Sequence, residues 1–198
     1  MRPKNLEKEE AIRTVALRII AEEGLENLTM QKLASAAGIS PRTIYLKYAD
    51  KDDLLVKLFV DEVLGAYEAA LLDGFDETMG FAEGIKRLWL NGFGYFKNNR
   101  HAFALMQYGK SSPLLNKAFQ ERNIREGTYF APIHRFVLTH LGTDLPFEAQ
   151  RALLFAPVLD LIHEYFEYSN RPTQVITEAV LLRCCEAVIN GIQCKTKQ

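Results

Sequence analysis

Leu28-Thr29-Met30-Gln31-Lys32-Leu33-Ala34-Ser35-Ala36-Ala37-Gly38-Ile39-Ser40-Pro41-Arg42-Thr43-Ile44-Tyr45 reads as helix, tight turn, helix. Thr29 can cap the first helix, and Leu28, just before the cap, has the spacing of a hydrophobic staple with Leu33. Ser40 repeats the device. Pro41 takes the first helical position, where its missing backbone donor does no harm, and Ile39 with Ile44 forms a second staple. Two fixed helix starts separated by Gly38 predict a rigid corner.

The second helix separates two kinds of side chain. At about 100° per residue, Ile44 and Tyr48 lie roughly 200° and 240° from Arg42 and can share a buried face. The opposite face centres on Arg42 and Leu46, with Thr43 close by and Tyr45 and Lys47 on the flanks. That distribution suits a helix lying in a DNA groove, the centre reading bases and the flanks holding phosphates. Arg42 could pair bidentately with guanine, and Leu46 or the Thr43 methyl could pack on a thymine methyl.

Working outward, the whole chain has 198 residues, 48% of them hydrophobic and 25% charged, with a net charge of −1. That is a globular composition rather than a disordered one, and bulk positive charge cannot be what recognises a nucleic acid. The charge is local instead. Residues 29–51 carry Lys32, Arg42, Lys47 and Lys51 against the single acid Asp50. No basic start followed by an apolar stretch marks a secretory signal, and Ala152 to Leu159, the longest apolar run, contains Pro157 and stops at Asp160. We therefore expect a cytoplasmic protein that does not span a membrane. Three cysteines, Cys184, Cys185 and Cys194, suit a reducing compartment better than a disulfide framework.

Apolar residues recur at helical spacing nearly throughout, beginning with Ile12, Val15, Ala16, Ile19 and Ile20, and no alternating strand pattern appears. The fold is expected to be all-α. Breaks at Gly24, Gly38, Ala49-Asp50, Asp73-Gly74, Asn98-Asn99, Ser111-Ser112-Pro113, Gly142-Thr143 and Asn170-Arg171-Pro172 give about nine helices. Residues 1–50 form an expected N-terminal three-helix unit and residues 51–198 a C-terminal helical bundle, with a helix over about 51–72 as connector. Pro132 and Pro157 fall inside helical patterns and predict kinks.

The quoted stretch resembles the DNA-binding segment of the tetracycline-repressor (TetR) family of bacterial transcription regulators. The family pattern stands here as Thr29, Ala34, Ala37-Gly38-Ile39-Ser40, Thr43-Ile44-Tyr45, Tyr48 and Lys51, followed by Asp52-Asp53-Leu54, within residues 10 to 55. The departures are Pro41-Arg42, where many members have a basic residue and then Gly, Leu46 in place of an aromatic or polar residue, and Tyr48 in place of Phe. The resemblance implies DNA contacts from Thr29, Thr43, Tyr45, Lys47 and Lys51, with Lys51 and the N-terminus of the following helix holding a phosphate. With the helix-face reading, the expected interface is Thr29, Ser40, Pro41, Arg42, Thr43, Tyr45, Leu46, Lys47 and Lys51. The resemblance further implies a homodimeric repressor, paired through its last two long helices, about Phe147 to Ser169 and Thr173 to Ile192, and released from a near-palindromic operator by a small effector.

Trp89, Phe93, Phe96, Phe103, Met106 and Phe130 are more aromatic and soft apolar side chains than a small bundle needs. With His134 and His163 they are the candidate wall of a pocket for an apolar or aromatic effector, although for any single aromatic residue plain core packing is the favoured reading. Gly92 and Gly94 lower helix propensity beside that wall. His101, His134, His163, Asp160, Glu164 and Glu167 give only a weak metal signal, since adjacent His163 and Glu164 point to different sides of a helix, although Asp160 could share an ion with either. No metal or cofactor is expected. Cys184 and Cys185 read as small hydrophobes rather than a redox switch. A small helical enzyme or a protein-binding adaptor with an incidental helix-turn-helix are the competing classes. The first lacks a phosphate loop or nucleophile motif, and the second leaves the exposed Arg42-to-Lys47 face without a use.

Overall fold

The computed structural model describes residues 3–126, 130–169 and 173–193, and Cys194 lies outside them. Among the described residues all regular structure is helical, as the periodicity predicts. The helices are α1 (Pro3–Glu23), α2 (Met30–Ala36), α3 (Pro41–Tyr45), α4 (residues 51–71), α5 (Phe81–Asn98), α6 (Arg100–Ser111), α7 (Pro113–Glu126), α8 (Ala131–Leu141), α9 (Phe147–Glu167) and α10 (Glu178–Gln193), with a 3-10 turn at Leu25–Asn27. α4 runs as an α section Lys51–Lys57, a π section Leu58–Leu64 and a second α section Gly65–Leu71.

The chain forms two compact units, residues 1–66 with 99–127 and residues 67–98 with 128–198. The expected 1–50 segment lies wholly in the first, which also takes the start of α4 together with α6 and α7. In this unit Ile12, Ala16, Ile19 and Ile20, spaced for one helix face, bury that face of α1, which packs against α2 and α6. Each of the three buried isoleucines stabilises by roughly 1.5–3 kcal/mol. Gly109 on α6 lets α4 come close, since a β-carbon there would meet the Phe59 ring at 2.2 Å. The Tyr108 hydroxyl accepts the Leu25 N–H at 3.2 Å and fixes the 3-10 turn that precedes α2.

In the second unit α5 supplies the central apolar face, with Phe81, Ile85, Leu88, Trp89, Phe93 and Phe96 buried, and packs against α8, α9 and α10. Gly84 admits the Phe136 ring, whose Cζ would lie 2.3 Å from a β-carbon. The buried Trp89 indole N–H donates to the Leu154 carbonyl at 2.8 Å. The Asn91 amide caps the end of α4, donating to the carbonyls of Leu71 (2.9 Å) and Asp73 (2.7 Å).

Three local expectations change. A tenth helix arises because a further break precedes α8, where Phe130 takes a left-handed φ of 59° and gives its N–H to the Glu68 carboxylate. Pro132 therefore stands in the first turn of α8, where it needs no backbone partner, and not in a helix interior. Pro157 does stand inside α9. The last helix begins at Glu178 rather than near Thr173, because Thr177 Oγ1 accepts the Val180 N–H at 3.3 Å and caps the first turn.

Candidate nucleic-acid interface

Thr29 caps α2 as predicted, its hydroxyl accepting the Lys32 N–H at 3.1 Å, while Leu28 and Leu33 are both buried. The far end of α2 closes with Gly38 at φ 64°, the Gly38 N–H on the Ser35 carbonyl (3.2 Å) and the Ile39 N–H on the Ala34 carbonyl (3.0 Å). This is a Schellman closure, and its left-handed residue is why glycine is needed at the corner. Ser40 then caps α3, accepting the Thr43 N–H at 3.2 Å, and its hydroxyl lies 2.9 Å from that of Thr43. Pro41 is at the helix start. The direction of α3 is set by bonds at both sides of the corner.

Regular α geometry ends at Tyr45, sooner than the helix wheel assumed. The chain keeps turning, with the Leu46 N–H on the Arg42 carbonyl (3.1 Å), the Lys47 N–H on Ile44 (3.0 Å) and the Tyr48 N–H on Ile44 (2.9 Å). The division of faces holds. Ile44 and Tyr48 are buried, whereas Arg42 and Lys47 are exposed, Thr43 is half-buried, and Tyr45 and Leu46 are 52% and 80% exposed. Thr29, Ser40 and Pro41 are also exposed.

The cations of this segment have partners that a charge count does not reveal. Lys32 pairs with Glu23, and Lys47 with Glu9 of α1 at 2.8 Å. The Lys51 ammonium donates to the Leu25 carbonyl at 2.7 Å, using one of its three donors. Among the described residues no ion pair involves Arg42.

The start of α4 is closed by its own acids. Asp50 accepts the Asp53 N–H at 2.8 Å and Asp53 accepts the Ala49 N–H at 2.9 Å, so an anion approaching there meets Asp50, Asp52 and Asp53. Burial works against the Asp53 carboxylate, yet the hydrogen bonds from Lys57 and Ala49 and the Lys57 charge hold it below its ordinary pKa. The Asp-x-x-Asp spacing just ahead of Leu54-Leu55 was the available signal for this cap. Nothing local in the sequence pointed to Glu9.

The eight candidate effector residues fall into both units. Phe103 and Met106 are buried in the first. In the second, Trp89, Phe93 and Phe96 are buried, Phe130 and His134 half-buried and His163 exposed. Around them Tyr67 lies 4.5 Å from Phe96 and 6.0 Å from Phe130, ring centre to ring centre, and Phe93 lies 5.3 Å from Tyr165. A β-carbon on Gly92 would stand 3.2 Å from the Tyr67 hydroxyl, so this glycine serves close helix packing, and burial pushes the Tyr67 phenol well above its ordinary pKa. Burial likewise pushes the Cys185 thiol up to about 12, which keeps it a neutral packing group. Among the described residues no three acidic, cysteine or histidine side chains gather where a metal ion could sit, and no helix is long and apolar enough to cross a membrane.

An exposed strip on a short helix, fixed through a glycine corner to a capped partner helix, defines a helix-turn-helix protein. Residues 12–58 match the family model of bacterial regulatory proteins, tetR family. The match lies on the helix-turn-helix segment just described. An uncharacterised HTH-type transcriptional regulator of Haemophilus influenzae is 34% identical over 113 residues, 57% of this chain and 60% of the relative. The match thus spans less than two thirds of that relative's length. A TetR family transcription regulator from Marinobacter aquaeolei has the same fold at a TM-score of 0.76 and 23% identity, over 95% of this chain and 98% of the other. The transcriptional regulator FadR from Bacillus subtilis, solved with stearoyl-CoA, aligns at a TM-score of 0.69 and 18% identity, over 93% and 97%.

Proposed function

We propose that the chain is a cytoplasmic, sequence-specific DNA-binding transcription regulator, a repressor that leaves a near-palindromic operator when a small, largely apolar or aromatic effector binds. The observation that carries this reading is the exposed Arg42, Tyr45, Leu46 and Lys47 strip opposite buried Ile44 and Tyr48. Leu46, 80% exposed, and Tyr45, 52% exposed, stand where base edges and thymine methyls would give both a partner. In this reading Arg42, Thr43 and Leu46 read bases. Thr29, Ser40, Pro41, Tyr45 and Lys47 set the register on phosphates, and Lys51 adds the donors its bond to Leu25 leaves over.

Residues 1–50 act as the DNA-binding domain and 51–198 as the effector-binding and dimerisation domain, with α4 as connector. Dimerisation through α9 and α10 is favoured by Leu153 and Val180, which leave apolar surface 50% and 36% exposed on those helices. The two reading helices of a dimer would enter successive major grooves roughly 34–36 Å apart, or a small multiple of that. The aromatic lining near Phe96 and Phe130 suits an apolar effector, and a regulator of the same fold was solved in complex with stearoyl-CoA. Effector binding would shift α4 and thereby the spacing of the reading helices. Linkage then requires operator DNA to weaken effector binding by the same factor, a coupling of about 1–3 kcal/mol. Equal effector affinity with and without operator, measured by calorimetry, would exclude this mechanism.

The deciding experiment is a salt titration of the protein against a fluorescent duplex from immediately upstream of its own gene, beside a scrambled duplex. Selective, salt-dependent binding is expected. An enzyme or a protein-only adaptor would bind neither.

A further inference from the structure

We propose that Glu9 limits the affinity of the interface by competing with DNA phosphate for Lys47, an inference that rests on the DNA-binding reading above. Lys47 Nζ lies 2.8 Å from Glu9 Oε2, so an acid of α1 holds the cation that flanks the reading strip. The same ammonium stands 5.5 Å from the centre of the buried Tyr48 ring, which draws it toward the core side of the helix. Lys57 fixes the backbone at this point, its ammonium donating to the Lys47 carbonyl at 3.2 Å and lying 5.5 Å from the same ring. Lys47 is therefore held in place by groups of the protein itself before any DNA arrives.

A phosphate oxygen that takes Lys47 must displace the Glu9 carboxylate or settle beside it, anion against anion. Either outcome removes part of the attraction that an unengaged lysine would supply. It also changes the salt dependence. A lysine already neutralised by a carboxylate exchanges one protein anion for a phosphate, and the gain from released counterions is correspondingly smaller. Arg42, exposed and in no ion pair among the described residues, keeps its full charge for the groove. Glu9 thus weakens the sequence-independent part of binding and leaves the base-reading part, which raises the ratio of specific to non-specific affinity.

Glu9→Gln keeps the shape of the side chain and removes its charge. Full-length wild type, Glu9→Gln, Lys47→Gln and the double variant are titrated by fluorescence anisotropy against a fluorescein-labelled mixed-sequence duplex at several salt concentrations. Matching circular-dichroism melts check that each variant folds. Glu9→Gln should bind about fivefold tighter at low salt, the upper range for releasing one exposed ion pair. Its plot of log affinity against log salt should steepen by about 0.9. In the Lys47→Gln background the same substitution should change affinity less than about twofold, because the competed cation is gone. Unchanged or weaker binding by Glu9→Gln overturns the proposal, and so does an equal gain in the Lys47→Gln background, which would assign the effect to long-range charge. If the wild type shows no salt-dependent binding at all, the DNA-binding reading itself fails, whatever the variant does.

Discussion

At the scale of single residues, the proposed interface gives different work to Arg42, on α3, and Lys47, in the turn just beyond it. In the Glu9→Gln background, where Lys47 is released, replacing Lys47 with Ala should weaken binding to all duplexes alike and flatten the salt slope by about 1, whereas Arg42→Ala should relax preference at one base position. Binding unaffected by either change would mean that α3 is not the reading helix. Two glycines of α5 make an equally sharp contrast in stability. Gly94 has open space around a β-carbon, so Gly94→Ala should stabilise by about 0.5–1 kcal/mol through helix propensity. Gly84 faces the Phe136 ring at 2.3 Å, and Gly84→Ala should destabilise by roughly 1–3 kcal/mol by overpacking. Urea melts of the two variants test the pair, and equal shifts would contradict the packing described for α5.

At the scale of elements, the corner between α2 and α3 was readable because each of its bonds is local. Thr29, Gly38 and Ser40 act on neighbours within a few positions, so spacing alone specifies them. The start of α4 shows the same economy and carries a pH signature. Asp53 has a folded pKa below its ordinary value, so its stabilising effect is complete above the unfolded carboxylate value of about 3.9. It is lost as pH falls through the depressed folded value. Asp53→Asn should therefore show a shallower loss of stability below about pH 4 than the wild type, followed by circular dichroism. Identical acid limbs would mean that the Lys57 and Ala49 bonds do not favour the ionised form. The break before α8 was missed at this scale because Phe130 relies on Glu68, a partner far away in sequence.

At the scale of the whole molecule, two compact units and the exposed Leu153 on α9 and Val180 on α10 frame the regulatory reading. Leu153→Glu places a charge on that surface without disturbing a buried side chain. Light scattering should then report a mass near that of one chain, where a wild type paired through α9 and α10 would give two. A wild type that is itself monomeric at micromolar concentration would move the dimer contact elsewhere or remove it. A dimer unaffected by Leu153→Glu would exclude that position from the contact.

The sequence by itself determined the all-helical class, most of the breaks, the capped corner and the division of α3 into buried Ile44 and Tyr48 and exposed Arg42, Tyr45, Leu46 and Lys47. All of these follow from helical periodicity and from hydrogen bonds spanning five residues or fewer. Only the tertiary structure decided which acids neutralise Lys32 and Lys47, how the aromatic residues divide between the units, and which glycines admit a ring. Glu9 and Lys47 lie 38 positions apart, and Gly84 and Phe136 lie 52 apart. Such pairs are set by how amphipathic faces pack, and a linear pattern records that each face exists without recording which face it meets.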